Sequence, residues 1–379
     1  MLVFLTFTNR KPERFTKLKI MSRYSLITGT GSYIPEKVVK NENFYQSKFY
    51  DKNGNPIEKP VAEVVEKFKE ITEIEERRYV EDHYNTTDLG YLAALEAIND
   101  SGIDPETLDY IIVAHNFGDV RFGDHRVDIV PTIAARIKHK LGIKNADTVA
   151  YDLPFGCPGW VQGLIQADYF LKSGDASSAL VIGAETISRV SDPYDIDSMI
   201  YADGAGAAVL QAFESQEPVG MIAHKTRSDT LNHHRLLWMD QSYNPNHKPG
   251  ELFLKMNGRK VYEYAITYVP LLVKECIEKA KVDISDIRKI LVHQANGKMD
   301  EIILQKTMGL FKIKQYSSDI MPMTISRHGN NSVATVPILL DWVKKHKLGN
   351  HAFHPGDYII LASVGAGMNI NAIVYKFPQ

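Results

Sequence analysis

Cys157 stands in DLPFGCPGWVQGL, residues 152–164, between a strand-like run and an amphipathic helical one. Glycines occupy positions 156 and 159, and Pro158 follows the cysteine. Proline favours the first turn of a helix, so the sequence predicts Cys157 at the helix cap. A thiol there sits in the positive end of the helix dipole, which favours the thiolate. The two glycines permit a sharp turn and close approach of a substrate. This is the pattern of an acyl-accepting nucleophile. The competing reading is a buried structural cysteine, the commoner state of this residue. Cys276, inside LLVKECIEKA, reads as such a core residue.

Two further segments carry polar groups in positions suited to chemistry. In KILVHQANGKMDEI, residues 289–302, a strand ends at Val292 and His293 stands at its C-terminal end. α/β folds place functional groups there. His293 could serve as a general base or as a donor to a developing oxyanion, or it could be structural. In SRHGNNSVATVPILL, residues 326–340, Gly329 and two asparagines precede an apolar helix. Asn330 could donate a side-chain N–H to an enolate or thioester oxygen. A turn with Asn331 and Ser332 as the cap explains the pattern equally well.

The elements that must position these groups alternate. Strand-like runs cover 24–29, 109–114, 148–153, 179–183, 207–210, 289–292, 358–362 and 369–375. Helical patterns cover 87–101, 131–141, 157–171, 261–280, 299–308 and 332–347. Such alternation predicts parallel strands with helical crossovers in an α/β layered fold. Both halves close on a glycine-rich turn feeding a strand, DGAGAAVLQA and VGAGMNINAIVY, which points to an internal duplication. The expected halves are 24–213 and 214–379. Residues 1–23 read as a tail, the first 20 as an upstream start or disordered. Residues 45–70 and 226–252 read as insertions.

Composition narrows the function classes. The 379 residues are 44% apolar, and 44 Lys and Arg against 46 Asp and Glu leave a net charge of −2. An evenly mixed surface gives nucleic acid no support as a partner. No run approaches the roughly 18 apolar residues of a membrane helix. Two cysteines make neither a disulfide framework nor a zinc site, and a reduced, cytoplasmic setting is expected. His115, His125, His233 and His234 show no metal spacing and read as loop histidines. No metal and no cofactor is expected.

Taken together, the three segments resemble the active-site motifs of the β-ketoacyl-acyl-carrier-protein synthase III family, in the same chain order. Cys157, His293-Gln294-Ala295-Asn296 and Gly329-Asn330 match. So do GTGSYIPEKVV (29–39), YADGAGAAVL (201–210), FLKMNGRKVYEYA (253–265) and the glycine turn Gly365-Ala366-Gly367. The resemblance covers about residues 24–379. It implies the thiolase fold, layered α-β-α-β-α from two similar halves. It implies a homodimer that loads an acyl group from a thioester onto Cys157 and condenses it with malonyl-acyl-carrier protein. His293 and Asn330 would hold the thioester oxygen. The backbone of Cys157 and of Gly365, Ala366 and Gly367 would hold the tetrahedral oxyanion. Lys298 would help dock the acidic carrier protein; its bland reading is a solvated helix lysine.

The departures from the family pattern are specific. Members that use coenzyme A clamp its adenine with a tryptophan and an arginine before Thr-Gly-Ile; here Lys67 and Ile71 precede Thr72-Glu73-Ile74. Residues 115–130 are longer and more polar than usual, and Trp160 replaces a smaller aromatic. These features also suit a relative that joins two β-ketoacyl units into a cyclohexanedione or dialkylresorcinol ring. A hydroxymethylglutaryl-CoA synthase would need a glutamate base beside the cysteine, and none is evident from the sequence. A non-catalytic partner subunit and a cysteine hydrolase are the readings from other classes.

Overall fold

The computed structural model describes residues 21–379. Residues 1–20, expected to be a tail or an upstream start, lie outside the described residues. The expected tail does not extend to residue 23. Strand β1 already spans Ser22–Tyr33, and the Arg23 guanidinium donates to Leu171 O and Ala176 O at 2.6 and 2.9 Å.

The first sheet contains β1, β2 (Tyr110–Ala114), β3 (Val149–Leu153), β4 (Ser178–Thr186) and β5 (Asp203–Ser215), in the order β1-β5-β4-β2-β3. The chain continues through β6 (Gly220–Ser228), a hairpin of β7 (Leu237–Asp240) and β8 (Phe253–Met256), then β9 (Ile287–Val292), β10 (Tyr358–Gly365) and β11 (Asn369–Lys376). The second sheet has the order β6-β11-β10-β9. Wholly parallel pairing, as expected from the alternation, is not found. β5 runs antiparallel to both its neighbours, and so does β11. The three residues joining β10 to β11 leave room only for a hairpin, which forces antiparallel pairing there. The two sheets repeat one pattern of order and direction. The duplication therefore extends well beyond the shared glycine turn, although β3 has no counterpart in the second sheet.

Helix α1 (Val61–Thr72) packs outside the sheets in a satellite cluster with Phe49, Ile74 and Met199, while α2 (Thr86–Ser101), α3 (Ile133–Lys140), α4 (Gly159–Ser173), α5 (Gly258–Ala280), α6 (Gly297–Leu310) and α7 (Thr335–Lys344) cover and separate the sheets. Leu89, Ala93 and Ile137 of α2 and α3 pack on Ile111 and Leu180 of the first sheet. Val273 and Ile303 of α5 and α6 pack on Ile290 and Ile360 of the second. Between the sheets, Trp160 and Leu164 of α4 and Val336 and Leu340 of α7 pack on Ile112 and Val181 from one side and Leu361 and Ile373 from the other. The result is the expected α-β-α-β-α layering. Its central helices are the two that follow Cys157 and Asn330. Each fully buried Leu or Ile contributes about 1.5–3 kcal/mol, so this middle layer anchors both segments firmly.

The expected helix over 332–347 starts late. Ser332 has φ +51°, which an α-helix does not accept, and residues 332–334 form a 3₁₀ turn before α7. The β7–β8 hairpin is fixed by a buried ion cluster. Lys255 Nζ lies 2.5 Å from Asp192 Oδ2, 3.3 Å from Asp195 Oδ2 and 3.4 Å from the centre of the Tyr243 ring. Removing the amine leaves buried carboxylates unpaired. Lys255→Ala is therefore expected to cost about 3–5 kcal/mol in a denaturant titration.

Candidate active site

Cys157 lies one residue before the Pro158 cap of α4, not at the cap itself, because the helix begins at Gly159. Gly156 (φ +70°) turns the chain sharply into it. A Cβ at Gly156 would come within 3.0 Å of Ala366 N, and one at Gly365 within 2.6 Å of Cys157 N. The nucleophile loop and the β10–β11 turn thus touch with only hydrogens between them. Gly365 and Ala366 reach the chamber that holds Cys157, whereas Gly367 packs against the Asn369 side chain.

That chamber has a volume of about 260 Å³. Cys157, His293, Asn330, Ser332, Gly365 and Ala366 form its polar end, and Phe117, Ile187, Leu237, Trp238, Met239 and Leu254 its apolar end. A larger cavity of about 800 Å³ shares Met256, Val261, Ala295, Met299 and Asn330 with it. Val64, Lys67, Phe68 and Ile71 of α1 line this outer space. The segments read as insertions are therefore walls. The first runs into α1, and the second carries most of β7. The apolar lining suits an acyl chain and a slender arm, and the few polar groups converge on one point.

His293 follows β9, where its backbone N–H donates to Ala362 O at 2.9 Å. Gln294 pins the segment, donating to Pro322 O at 2.7 Å and accepting from Thr324 N at 2.8 Å. Asn296 caps α6 by accepting from Met299 N. Burial, only partly offset by the Ser332 backbone, pushes the His293 imidazole down to about 4. Its Nδ1 has no hydrogen-bond partner among the described residues. At neutral pH it is an uncharged ring, better suited to donating a hydrogen bond than to holding a proton taken from the thiol.

Asn330 is held through its own backbone, N–H to Ile200 O and O from Ala202 N, both at 2.9 Å. Its Oδ1 accepts the Ser332 N–H at 2.7 Å, which turns the carboxamide so that the NH₂ is free for the chamber. Asn331 instead bonds Asp203 O and His328 O. The structure thus gives Asn331 the turn-forming role and Asn330 a place in the cavity wall.

The expected thiolate is not the resting state. Burial pushes the Cys157 thiol up to about 11, with the Ser332 hydroxyl at 3.3 Å working against that shift. The cysteine sits too early to receive the first free N–H groups of α4 directly, and no cation among the described residues is paired with it. Lys298 is exposed on the first turn of α6, near the mouth of the outer cavity. His115 lies in the loop after β2, as expected, but it is not exposed. It is buried, with Nε2 2.9 Å from Asp152 Oδ2 and Nδ1 accepting from Gly118 N. No group of described residues is arranged to hold a metal ion. Sequence reasoning gave Ser332 only a capping role and passed over Asn116 and Glu185. The available signal was a lone acidic residue ending the apolar run ALVIGAE.

Comparison with known proteins agrees with this geometry. Family models described as 3-oxoacyl-[acyl-carrier-protein (ACP)] synthase III and its C-terminal domain match residues 151–230 and 277–377. The β-ketoacyl-[acyl-carrier-protein] synthase III of Staphylococcus aureus (strain Newman) is 31% identical over 355 residues, 93% of this chain and 99% of that one. The chain belongs to the β-ketoacyl-[acyl-carrier-protein] synthase III family.

Solved structures of that family share the architecture. The enzyme from Aquifex aeolicus VF5 matches with a TM-score of 0.74 at 27% identity, over 93% of this chain and 100% of that one. The enzyme from Thermus thermophilus matches with a TM-score of 0.73 at 28% identity, over 93% and 99%. Membership in the synthase III family carries the thiolase fold and the enzyme class with it: the chain is a ketoacyl synthase, a transferase of acyl groups.

Proposed function

We infer that the chain catalyses decarboxylative Claisen condensation, with Cys157 as the acyl carrier and His293 and Asn330 as the donors. The first half, residues 24–213, supplies the nucleophile; the second, 214–379, supplies both donors. The observation that carries this is the convergence of sulfur, imidazole, carboxamide and the 365–366 backbone on one chamber, reached through an outer cavity. In the first step the sulfur attacks the carbonyl carbon of an acyl thioester. A new C–S bond forms, the donor's C–S bond breaks, and the departing thiol takes the proton. In the second, malonyl-acyl-carrier protein loses its carboxylate as carbon dioxide. The electron pair passes through an enolate to a new C–C bond, and Cys157 leaves and is reprotonated. His293 and Asn330 stabilise the enolate oxygen, a task that requires uncharged donors fixed in advance.

Glu185 does not act as a base on the substrate, because it does not line the chamber. That argues against the hydroxymethylglutaryl-CoA synthase reading. The relatives named above lend no support to ring formation from two β-ketoacyl units. A panel of acyl-CoA and acyl-carrier donors incubated with malonyl-acyl-carrier protein tests the reading. Carbon dioxide release with a β-ketoacyl product is expected; hydrolysis of the donor alone would overturn it.

Trp238 closes the apolar end of the chamber. Replacing its side chain by a methyl group would extend that end of the chamber. Trp238→Ala is expected to move the preferred acyl donor to chains longer by several carbons, read as relative kcat/KM across the panel. Lys298 is proposed to meet the carrier protein at the outer mouth. A homodimer is proposed as well. Phe122, Val127, Ile129 and Val130 expose apolar surface together, Val130 to 84%. The two free thiols suit a reducing, cytoplasmic compartment.

A further inference from the structure

Ser332 touches all three proposed catalytic groups, yet the mechanism above does not use its hydroxyl. Its backbone N–H donates to Asn330 Oδ1 at 2.7 Å, and its backbone faces His293. Its Oγ lies 3.3 Å from Cys157 Sγ. The same Oγ is 3.0 Å from Asn116 Nδ2. Asn116 Nδ2 is also 2.6 Å from Glu185 Oε2, and the Asn116 backbone N–H reaches that oxygen at 3.1 Å. Ser332 and Glu185 are both buried.

The direction of these bonds can be worked out from their donors. An amide has two N–H donors on one side and an acceptor on the other. Burial raises the Glu185 carboxyl to about 7, but its Oε2 already accepts the Asn116 backbone N–H and is therefore the unprotonated oxygen. Reversed, Asn116 would set its own oxygen against it at 2.6 Å, two acceptors in contact. The NH₂ therefore faces Glu185, and its other hydrogen faces Ser332. A hydroxyl has a single proton. Since Ser332 Oγ accepts from Asn116, its proton is left for the sulfur. The backbone at Ser332 adds weight. A φ of +51° is unusual for a residue with a side chain, and glycine or asparagine is the ordinary occupant. The conformation aims the N–H at Asn330 and the hydroxyl at Cys157 at once.

We propose that Glu185, Asn116 and Ser332 form a directed hydrogen-bond relay that delivers the Ser332 proton to the Cys157 sulfur and stabilises its thiolate. This rests on the reading of Cys157 as the nucleophile. Ser332 contacts the reacting atom and is catalytic; Asn116 and Glu185 are positioning residues. The relay answers a specific need, because the sulfur is enclosed, has no cationic partner and must become an anion twice per turnover. A hydrogen bond donated to the anion alone favours the charged form.

Ser332→Gly tests this directly, since glycine adopts the same φ without strain and keeps the N–H to Asn330. The readout is alkylation of Cys157 by iodoacetamide from pH 6 to 10, followed by intact-protein mass; Cys276 is fully buried and silent. Ser332→Gly is expected to alkylate about 10-fold more slowly throughout that range, which lies below the midpoint, at an unchanged or higher melting temperature. Asn116→Leu removes the donor that aims the Ser332 proton and is expected to slow alkylation about 3-fold. Glu185→Gln would also remove a negative charge that itself raises the Cys157 thiol, so it does not isolate the relay. A wild-type profile in Ser332→Gly overturns the proposal, and a wild-type profile in Asn116→Leu removes Asn116 and Glu185 from the relay. Alkylation needs no acyl donor. A wild-type protein that never loads an acyl group, but shows these shifts, would sink the condensing reading and leave the relay standing.

Discussion

Cys157→Ala is expected to carry no acyl group at all after incubation with any donor that loads the wild-type protein. Intact-protein mass spectrometry reads this as the loss of a single acyl increment. The expectation follows from the environments of the two thiols. Cys157 opens onto the chamber beside Gly365 and Ala366, whereas Cys276 is sealed in the outer core, its Sγ 3.4 Å from Ala372 O. Cys276 cannot substitute, for burial pushes its thiol up to about 12 and no cavity reaches it. The alanine variant should retain its fold, because a side chain at a chamber wall is not a core knob. Its melting temperature should stay within a few degrees of wild type. Loading in the wild-type protein should also speed up with pH, close to tenfold per unit from pH 7 to 9. The thiolate is the attacking species, and the thiol is held near 11. A full acyl increment on Cys157→Ala would place the nucleophile elsewhere and undo the mechanism.

The strand, turn and helix around Cys157 were readable because their signals are local. Gly156, Pro158 and the helical run after them lie within a few residues, and strand, turn and helix follow from that spacing. The two halves were readable for a similar reason, through one repeated glycine turn. What decides the protonation states was not readable. The sulfur at a helix start suggested a thiolate, but its actual balance depends on burial and on Ser332, 175 positions later in the chain. His293 looked equally able to serve as base or as donor until its enclosure showed it to be neutral. Glu185 lies past the strand read over 179–183, where the pattern gave it no role, and the structure carries that strand on to Thr186. The meaning of Glu185 appears only when Asn116 and Ser332 are brought to it across the sheet. The part that residues 45–70 and 226–252 play in the cavity walls was not legible in detail, because Phe68 of α1 and Trp238 of β7 show no partner in the sequence. Each gains its purpose from a cavity that the tertiary fold creates.

His293→Ala and Asn330→Ala are each expected to lower decarboxylative condensation by about 10²–10³, while acyl loading of Cys157 falls far less. The separation follows from where charge develops. In the loading step the oxyanion forms near the backbone of Cys157 and Gly365. In the condensing step negative charge gathers on the thioester oxygen of the malonyl unit, facing the two side-chain donors. Each donor is uncharged and preset: the Asn330 amide by Ser332 N–H, the His293 ring by the fixed end of β9. Removing either leaves an enolate short of one hydrogen bond in a space lined mostly by apolar groups, where no mobile water replaces it at low cost. Asn330→Asp should be worse than alanine, since a carboxylate would repel both the malonyl carboxylate and the enolate. Because His293 is held near 4, protonation of its ring should not limit the condensing step between pH 6 and 8. Carbon dioxide release from pre-loaded enzyme measures that step alone. If His293→Ala releases carbon dioxide at the wild-type rate but fails to load, the ring acts on the thiol as a base and its assignment as an enolate donor is wrong.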